Sequence, residues 1–264
     1  MKVTLNGKTQ NITQRTLNQL FTSLYPDCDV AVIDGREARG HVVLKENMVI
    51  YVGRSPSGKG DLGEALTARN PAGTRDALKG ATVGIAGAGG LGSNIAMMLA
   101  RAGIGGITVA DFDSIDLSNL NRQNFTVHDR GHLKVEALER HLLEVSPSIR
   151  VKTFPERLEP SSIPKVFSGC DVIVEAFDDA EAKAMILDTV ADRMPDIPLV
   201  CGSGMAGMTD PSDMVTRRLS DRIYVCGDGR STMDEGLLST RVTICAGLMA
   251  NKVLQLLTHS EQDV

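Results

Sequence analysis

No apolar run in this 264-residue chain reaches the roughly 18 residues that a membrane-crossing helix needs, and the opening MKVTLNGKTQNITQ lacks a signal peptide's apolar stretch. The expectation is a cytoplasmic protein with no membrane partner. Its five cysteines, Cys28, Cys170, Cys201, Cys226 and Cys245, stand far apart with no CxxC pair. That spacing excludes a zinc ribbon and a redox dithiol motif, and leaves buried, reduced thiols. The histidines His41, His128, His132, His141 and His259 form neither HxH nor HExxH and supply no metal pattern. Excess positive charge is missing too: the formal net charge is −5, and no nucleic-acid partner is expected. What is present is ordinary globular composition, 42% hydrophobic and 23% charged, enough for one large domain or a medium one with a small companion.

Residues 2–6 (KVTLN) and 49–52 (VIYV) read as strands from their period-2 alternation and β-branched content. Between them Leu17, Leu20, Phe21 and Leu24 fall on one face of a short helix. Strands at 29–33 and 41–44 around a turn at Asp34–Gly35 complete a β-β-α-β-β-like order within residues 1–53. GRSPSGKGD follows as a linker over 54–62. Over 63–264 the pattern changes. A helical stretch near 62–79 leads to strand 81–86, helix 92–102, strand 106–111 and helix 132–145. Strands 150–154 and 171–177, helix 181–193, strand 198–202 and a final helix over 241–258 follow. Apolar strands alternating with helices imply an α/β fold, a Rossmann-like parallel sheet with helices on both faces.

Gly87-Ala-Gly89-Gly90-Leu-Gly92 follows a strand and opens a helix, the context a phosphate-binding turn requires. Glycines let the backbone approach phosphate, and the helix start offers unpaired N–H groups and a positive dipole end. Asp111 ends the next strand 19 residues after Gly92, where a carboxylate can hydrogen-bond a ribose hydroxyl. The loop alone does not separate NAD from ATP. The polar run from Asp111 through Asp113 to Asn119, Arg122 and Gln123 does, because hydride transfer gains nothing from an arginine beside the phosphates. Adenylyl transfer needs cations and a carboxylate-held metal against phosphate charge, and Arg122, Lys134 and Asp178 supply that set.

The run GAGGLGS…VADFDSIDLSNLNRQNF…GHLKVEAL…VIVEAFDDAEAK resembles the ThiF/MoeB family, relatives of ubiquitin-activating enzymes, over about 63–264. The resemblance implies ATP with Mg2+, the ribose on Asp111, and phosphates against Asn119, Arg122, Gln123 and Lys134. It gives Asp178 the magnesium. It also implies a homodimer in which Arg69, just before the nucleotide fold, reaches a neighbouring subunit's ATP, with Arg75 as runner-up. Asp113 and Asp179 are weaker candidates, since a second acidic residue at a strand end is often only solvated. Without the two CxxC pairs of many relatives, no zinc is expected. The stretch GDGRSTMDEGLLSTRV holds no cysteine where some relatives form a covalent bond to their carrier, and Cys226, just upstream, is the nearest substitute.

Residues 1–53 resemble ThiS-type β-grasp (ubiquitin-like) sulfur carriers, but the chain runs on through Gly53-Arg54-Ser55-Pro56 instead of ending in a free Gly-Gly carboxylate. This implies a degenerate, carrier-like module. The expected function is adenylation of a ThiS-like sulfur-carrier protein's Gly-Gly carboxylate, which the resemblance ties to thiamine thiazole synthesis. The alternatives are a tRNA-threonylcarbamoyl cyclising dehydratase, a peptide adenylating enzyme, or an inactive scaffold whose own N-terminal domain occupies the carrier site.

Overall fold

A computed structural model describes residues 1–34, 36–53, 66–71 and 73–258. The expected linker over 54–62, and Gly35 of the expected turn, lie outside the described residues. The chain divides into two compact units, Met1–Ala77 and Leu78–Val264.

The first unit carries β1 (Lys2–Leu5), β2 (Lys8–Asn11), α1 (Leu17–Leu24), β3 (Val30–Ile33), β4 (Arg36–Ala38) and β5 (Val49–Gly53), in the sheet order β2-β1-β5-β3-β4. β1 and β5 run parallel and the other pairs antiparallel. Asn6 and Gly7, both at positive φ, make the tight β1–β2 turn. α1 begins with a capping box between Thr16 and Gln19, and buries Leu17, Leu20 and Phe21 against Val3, Leu5, Ile50 and Val52. Two strands differ from expectation. β2 (KTQN) is wholly exposed and contains no apolar residue, so period-2 patterning cannot reveal it. Residues 41–44 form only an isolated bridge between Val43 and Thr16, and the partner of β3 is instead β4.

The helical stretch expected near 62–79 is broken at Pro71: residues 66–67 are helical, 68–70 turn, and α2 spans Thr74–Gly80. The second unit then runs β6 (Thr82–Ala86), α3 (Gly90–Ala102), β7 (Gly106–Ala110), α4 (Lys134–Val145), β8 (Arg150–Phe154), α5 (Ile163–Val166), β9 (Val172–Glu175), α6 (Ala180–Arg193), β10 (Leu199–Gly202), β11 (Val215–Arg218), β12 (Ile223–Gly227) and α7 (Ser239–Thr258). Its sheet order is β11-β12-β10-β9-β6-β7-β8. Six strands are parallel, but β11 pairs antiparallel with β12, which corrects the expectation of a purely parallel sheet. The VTRR of β11 is exposed throughout and gives no burial pattern to read.

Strand residues alternate between two cores. Val83, Ile85, Ile107, Val109, Val172 and Val174 pack with α3, α4 and α7, while Ala86, Ala110, Ile173 and Cys201 pack with α5 and α6. Gly84 leaves room for Phe167, whose ring would stand 2.6 Å from an added Cβ. The chain builds outward from β6 through β7 to β8, then returns to β6's other side with β9. Loops after β6 and β9 therefore open onto the same topological switch point, where open α/β sheets hold their ligands.

Candidate active site

At that switch point the sheet's carboxyl edge opens into a cavity of about 740 Å3. Gly87 has φ +101°, and an added Cβ would stand 2.8 Å from the Ala176 carbonyl oxygen. Gly89 precedes α3 with no side-chain cap, so the first N–H groups of α3 face the cavity without a competing acceptor from that residue. Gly92 lies inside α3 and does not line the cavity; a Cβ there would collide with the Gly87 carbonyl oxygen, so glycine lets the helix start directly against the loop.

Asp111 is fixed at both oxygens. Oδ2 accepts from the Ala88 N–H at 2.7 Å and Oδ1 from the Asp113 N–H at 2.8 Å. Burial raises its pKa, against the lowering effect of Lys134 and the two N–H groups. Lys134 Nζ stands 2.7 Å from Asp113 Oδ2 and 4.0 Å from Asp111 Oδ2, on a side chain that is almost fully buried. Asp113, the weaker candidate from sequence, is thus the direct partner of Lys134. The Lys134 N–H also donates to the Asp113 carbonyl, tying the start of α4 to the end of β7.

Arg122 and Gln123 reach the cavity on a segment held by groups the sequence did not announce. Asn94 of α3 donates to both the Gly90 and Arg122 carbonyls, and Ser93 accepts from the Asn124 N–H. Arg122 Nη1 donates to Ser118 O and Asn121 Oδ1, both neutral, and among the described residues it makes no ion pair. Gln123 is buried beside the glycine loop with its Oε1 unpartnered. Asn119 does not line the cavity. Its Oδ1 accepts from the Asp116 N–H at 2.9 Å, capping the short 3-10 turn Leu117–Asn119.

Asp178 lines the cavity from the loop after β9. Its neighbour Asp179 caps α6 by accepting from the Ala182 N–H at 2.8 Å. Behind them Glu175, buried at the end of β9, takes Lys183 Nζ on both oxygens at 2.9 and 3.0 Å, and Lys183 donates further to Gly202 O. On the opposite bank Arg241, at the start of α7, bonds Asp228 Oδ2 at 2.5 Å and the Thr209 carbonyl at 2.7 Å. Asp228 Oδ1 accepts from the N–H groups of Arg230 and Ser231. These pairs lie 8 and 13 residues apart, and no motif in the sequence signals them. Arg69 is exposed in the turn before Pro71 and belongs to the first unit. Cys226 is fully buried in the core, where desolvation pushes its thiol up, so it is no ready thiolate. Among the described residues no three His, Cys, Asp or Glu side chains gather as a metal cage, and no helix is long and apolar enough to cross a membrane.

A glycine loop at the switch point, a doubly held carboxylate after the next strand and cations lining the same cavity mark a Rossmann-like α/β protein. The chain belongs to the ThiF family, whose model matches residues 64–264. It is 27% identical over 197 residues to the molybdopterin-synthase adenylyltransferase of Salmonella typhimurium, covering 71% of this chain and 77% of that protein. It is 32% identical over 141 residues to the tRNA threonylcarbamoyladenosine dehydratase of Escherichia coli, covering 53% of this chain and 52% of that one. The chain thus spans about half of that relative's length. The E. coli dehydratase in complex with ATP shares the fold, with a TM-score of 0.66 at 23% identity over 75% of this chain and 95% of that one. Membership makes the chain an enzyme of nucleotidyltransferase type.

Proposed function

We propose that the chain adenylates the C-terminal Gly-Gly carboxylate of a ThiS-like sulfur-carrier protein, with Mg·ATP as donor, in the route to the thiamine thiazole. The observation that carries this reading is that Arg122 and Lys134 line one cavity with the glycine loop, in which a Cβ at Gly87 would clash with the Ala176 carbonyl. The loop suits phosphate, and the orphaned Gln123 amide offers its other end, after rotation, as a donor. Asp111 keeps a free lone pair on each oxygen for a ribose hydroxyl. Asp178 would hold magnesium, which needs only one or two protein carboxylates when phosphates and water complete its shell. Bound there, the ion would neutralise phosphate charge as pyrophosphate leaves.

In the reaction the carrier's carboxylate oxygen attacks the α-phosphorus, the bond to the β-phosphate bridging oxygen breaks, and acyl-adenylate and pyrophosphate form. Arg122 and Lys134 stabilise the charge that develops. The boundaries 1–53, 54–62 and 63–264 complete the reading, with the first unit as a carrier-like β-grasp module. Its five-stranded sheet crossed by α1 supports that assignment. The enzyme is a homodimer in which each subunit lends Arg69 to the other.

ATP–pyrophosphate exchange with and without candidate carriers ending in Gly-Gly tests the reaction. Carrier-dependent exchange is expected, and its absence with every carrier sinks the reading. The likeness to the E. coli dehydratase favours a second one, in which threonylcarbamoyl-tRNA replaces the carrier; exchange driven by that tRNA alone selects it. Mixing inactive Arg69→Ala chains with inactive Lys134→Ala chains tests the dimer. Subunit exchange should restore activity toward about a quarter of wild type, since about half the dimers then hold one complete site.

A further inference from the structure

Asp129, at the end of the 3-10 turn Val127–Asp129, is buried and lies outside the cavity lining. Its Oδ2 accepts from the Thr126 N–H at 2.7 Å and the Thr126 hydroxyl at 2.9 Å, and its Oδ1 accepts from Arg140. His141 of α4 places Nε2 3.1 Å from Asp129 Oδ2 and turns Nδ1 to the Asn124 carbonyl at 3.2 Å. Its ring packs against Phe125, with centroids 6.2 Å apart. Burial alone would raise Asp129, but the Thr126 N–H and hydroxyl, His141 and Arg140 outweigh it and lower its pKa. The carboxylate, like the peptide carbonyl, therefore has no hydrogen to give, and only an imidazole carrying both N–H groups can donate to the two. A buried ion pair is seldom better for stability than apolar packing of the same volume, so this one calls for another reason.

What His141 holds supplies one. Asn124 follows directly on Arg122 and Gln123, which line the cavity. The Asn124 N–H donates to Ser93 Oγ of α3 at 3.0 Å, and its carbonyl accepts from His141 of α4. The peptide groups on either side of Asn124 are thus gripped from two helices. Lys134 stands seven residues before His141 on α4, close to the same face of the helix. One helix therefore carries Lys134 at the cavity and, two turns on, grips the segment that brings Arg122 and Gln123 there.

We propose that His141, braced by Asp129, is a positioning residue that ties the Arg122–Gln123 segment to α4 and so sets its reach to the phosphates. The inference rests on the nucleotide-binding reading above and adds to it a residue that lies outside the cavity. A histidine suits the task because one flat ring presents donors in two opposed directions, toward a carboxylate on one side and a carbonyl on the other. Asp129 in turn fixes the ring's orientation, being itself held by the Thr126 N–H and hydroxyl and by Arg140.

His141→Phe keeps a ring beside Phe125 and removes both donors, whereas His141→Arg gives up the ring but supplies several N–H groups and a permanent charge. Amide hydrogen exchange reads the segment itself. The Asn124 N–H should exchange about tenfold faster in His141→Phe and return to within about threefold of wild type in His141→Arg. In calorimetry well below the unfolding transition, ATP and tripolyphosphate should each bind His141→Phe about tenfold more weakly, with adenosine within about twofold, because Arg122 and Gln123 face phosphates. Arginine should restore both phosphate ligands. If the phenylalanine chain does not fold, His141→Gln, whose single nitrogen cannot reach both acceptors, takes its place. An Asn124 amide as protected in the variant as in wild type overturns the proposal. Equal weakening of adenosine does so too, since it marks general loosening, as does a folded arginine variant that restores nothing. A wild-type chain that binds neither ATP nor tripolyphosphate removes the nucleotide reading, and amide exchange then decides by itself whether His141 holds the segment.

Discussion

On the β6–β7 bank of the cavity Arg122 holds only neutral acceptors, Ser118 O and Asn121 Oδ1, and its charge meets no carboxylate among the described residues. On the β12 bank Arg241 is buried with its charge answered by Asp228 and two loop carbonyls. Both residues carry the same guanidinium, and both touch the segments that surround one cavity. The difference lies in what each leaves unanswered: Arg122 meets no carboxylate among the described residues, and Arg241 gives its terminal nitrogens to Asp228 and the loop at Thr209, leaving its buried Nε unpartnered. Lys134 and Lys183 repeat the contrast less sharply. Both line the cavity and both are ion-paired, but Lys134 is paired with the half-exposed Asp113, whereas Lys183 places its bonds on the buried Glu175 and on Gly202.

Substitutions should separate the banks, beginning with the largest effect. Arg241→Met leaves Asp228 buried without its partner, so stability should fall by about 3–5 kcal/mol in urea unfolding. Adding Asp228→Asn should recover part of the loss, because the stranded charge is then gone. Arg122→Ala should do the reverse: an unchanged unfolding midpoint, with carrier-dependent pyrophosphate exchange lower by roughly 10²–10³. If Arg122→Ala unfolds the protein, or Arg241→Met leaves the urea midpoint where it was, the contrast between the banks is wrong.

The β6–β7 bank was legible in the sequence because its parts are contiguous. A glycine loop, a strand-end carboxylate and SNLNRQ lie within a few dozen residues, and the spacing carries the geometry. The β12 bank was not, because no motif or periodicity marks Asp228 and Arg241 as partners, although only 13 residues separate them. Asn94 escaped for the same reason, bonding the Arg122 carbonyl 28 residues away. Strand β2 escaped for another: an edge strand buries nothing, so it has no pattern to show. The central strands read well because they are apolar on both faces, and the helices α1, α3, α4, α6 and α7 because each has one buried face at its own period.

A smaller effect is expected from acid. Burial alone would raise Asp228, but the N–H groups of Ser231 and Arg230, the Ser231 hydroxyl and the Arg241 guanidinium outweigh it and hold the carboxyl at about 2. A group depressed on folding from an ordinary value of 3.8 stabilises the fold fully above that value and loses this contribution as pH falls through about 2. The loss should amount to about 2 kcal/mol between pH 4 and 2. Asp228→Asn should flatten that part of the urea-stability profile, and an unaltered slope in the variant would assign the acid sensitivity to other groups.

The smallest effect tests where the banks divide within one motif. Asn119 and Gln123 lie four residues apart on the same polar run, yet Asn119 turns its Oδ1 to the Asp116 N–H while the buried Gln123 leaves its Oε1 unpartnered beside the glycine loop. A capping asparagine contributes roughly 1 kcal/mol through the backbone it satisfies. Its removal should loosen the 3-10 turn Leu117–Asn119 without withdrawing a group from the cavity. Asn119→Ala should therefore lower stability by about 1 kcal/mol or less and leave the calorimetric Kd for ATP within about threefold. Gln123→Ala should instead weaken ATP about tenfold, the loss expected when a buried amide no longer meets an ionised ligand. If both variants weaken ATP alike, Asn119 leaves its cap to meet the ligand, and the boundary between holding and binding residues moves to the start of the motif. If neither does, the amide of Gln123 belongs to the fold, and Arg122 and Lys134 are left to meet the phosphates beside the glycine cradle.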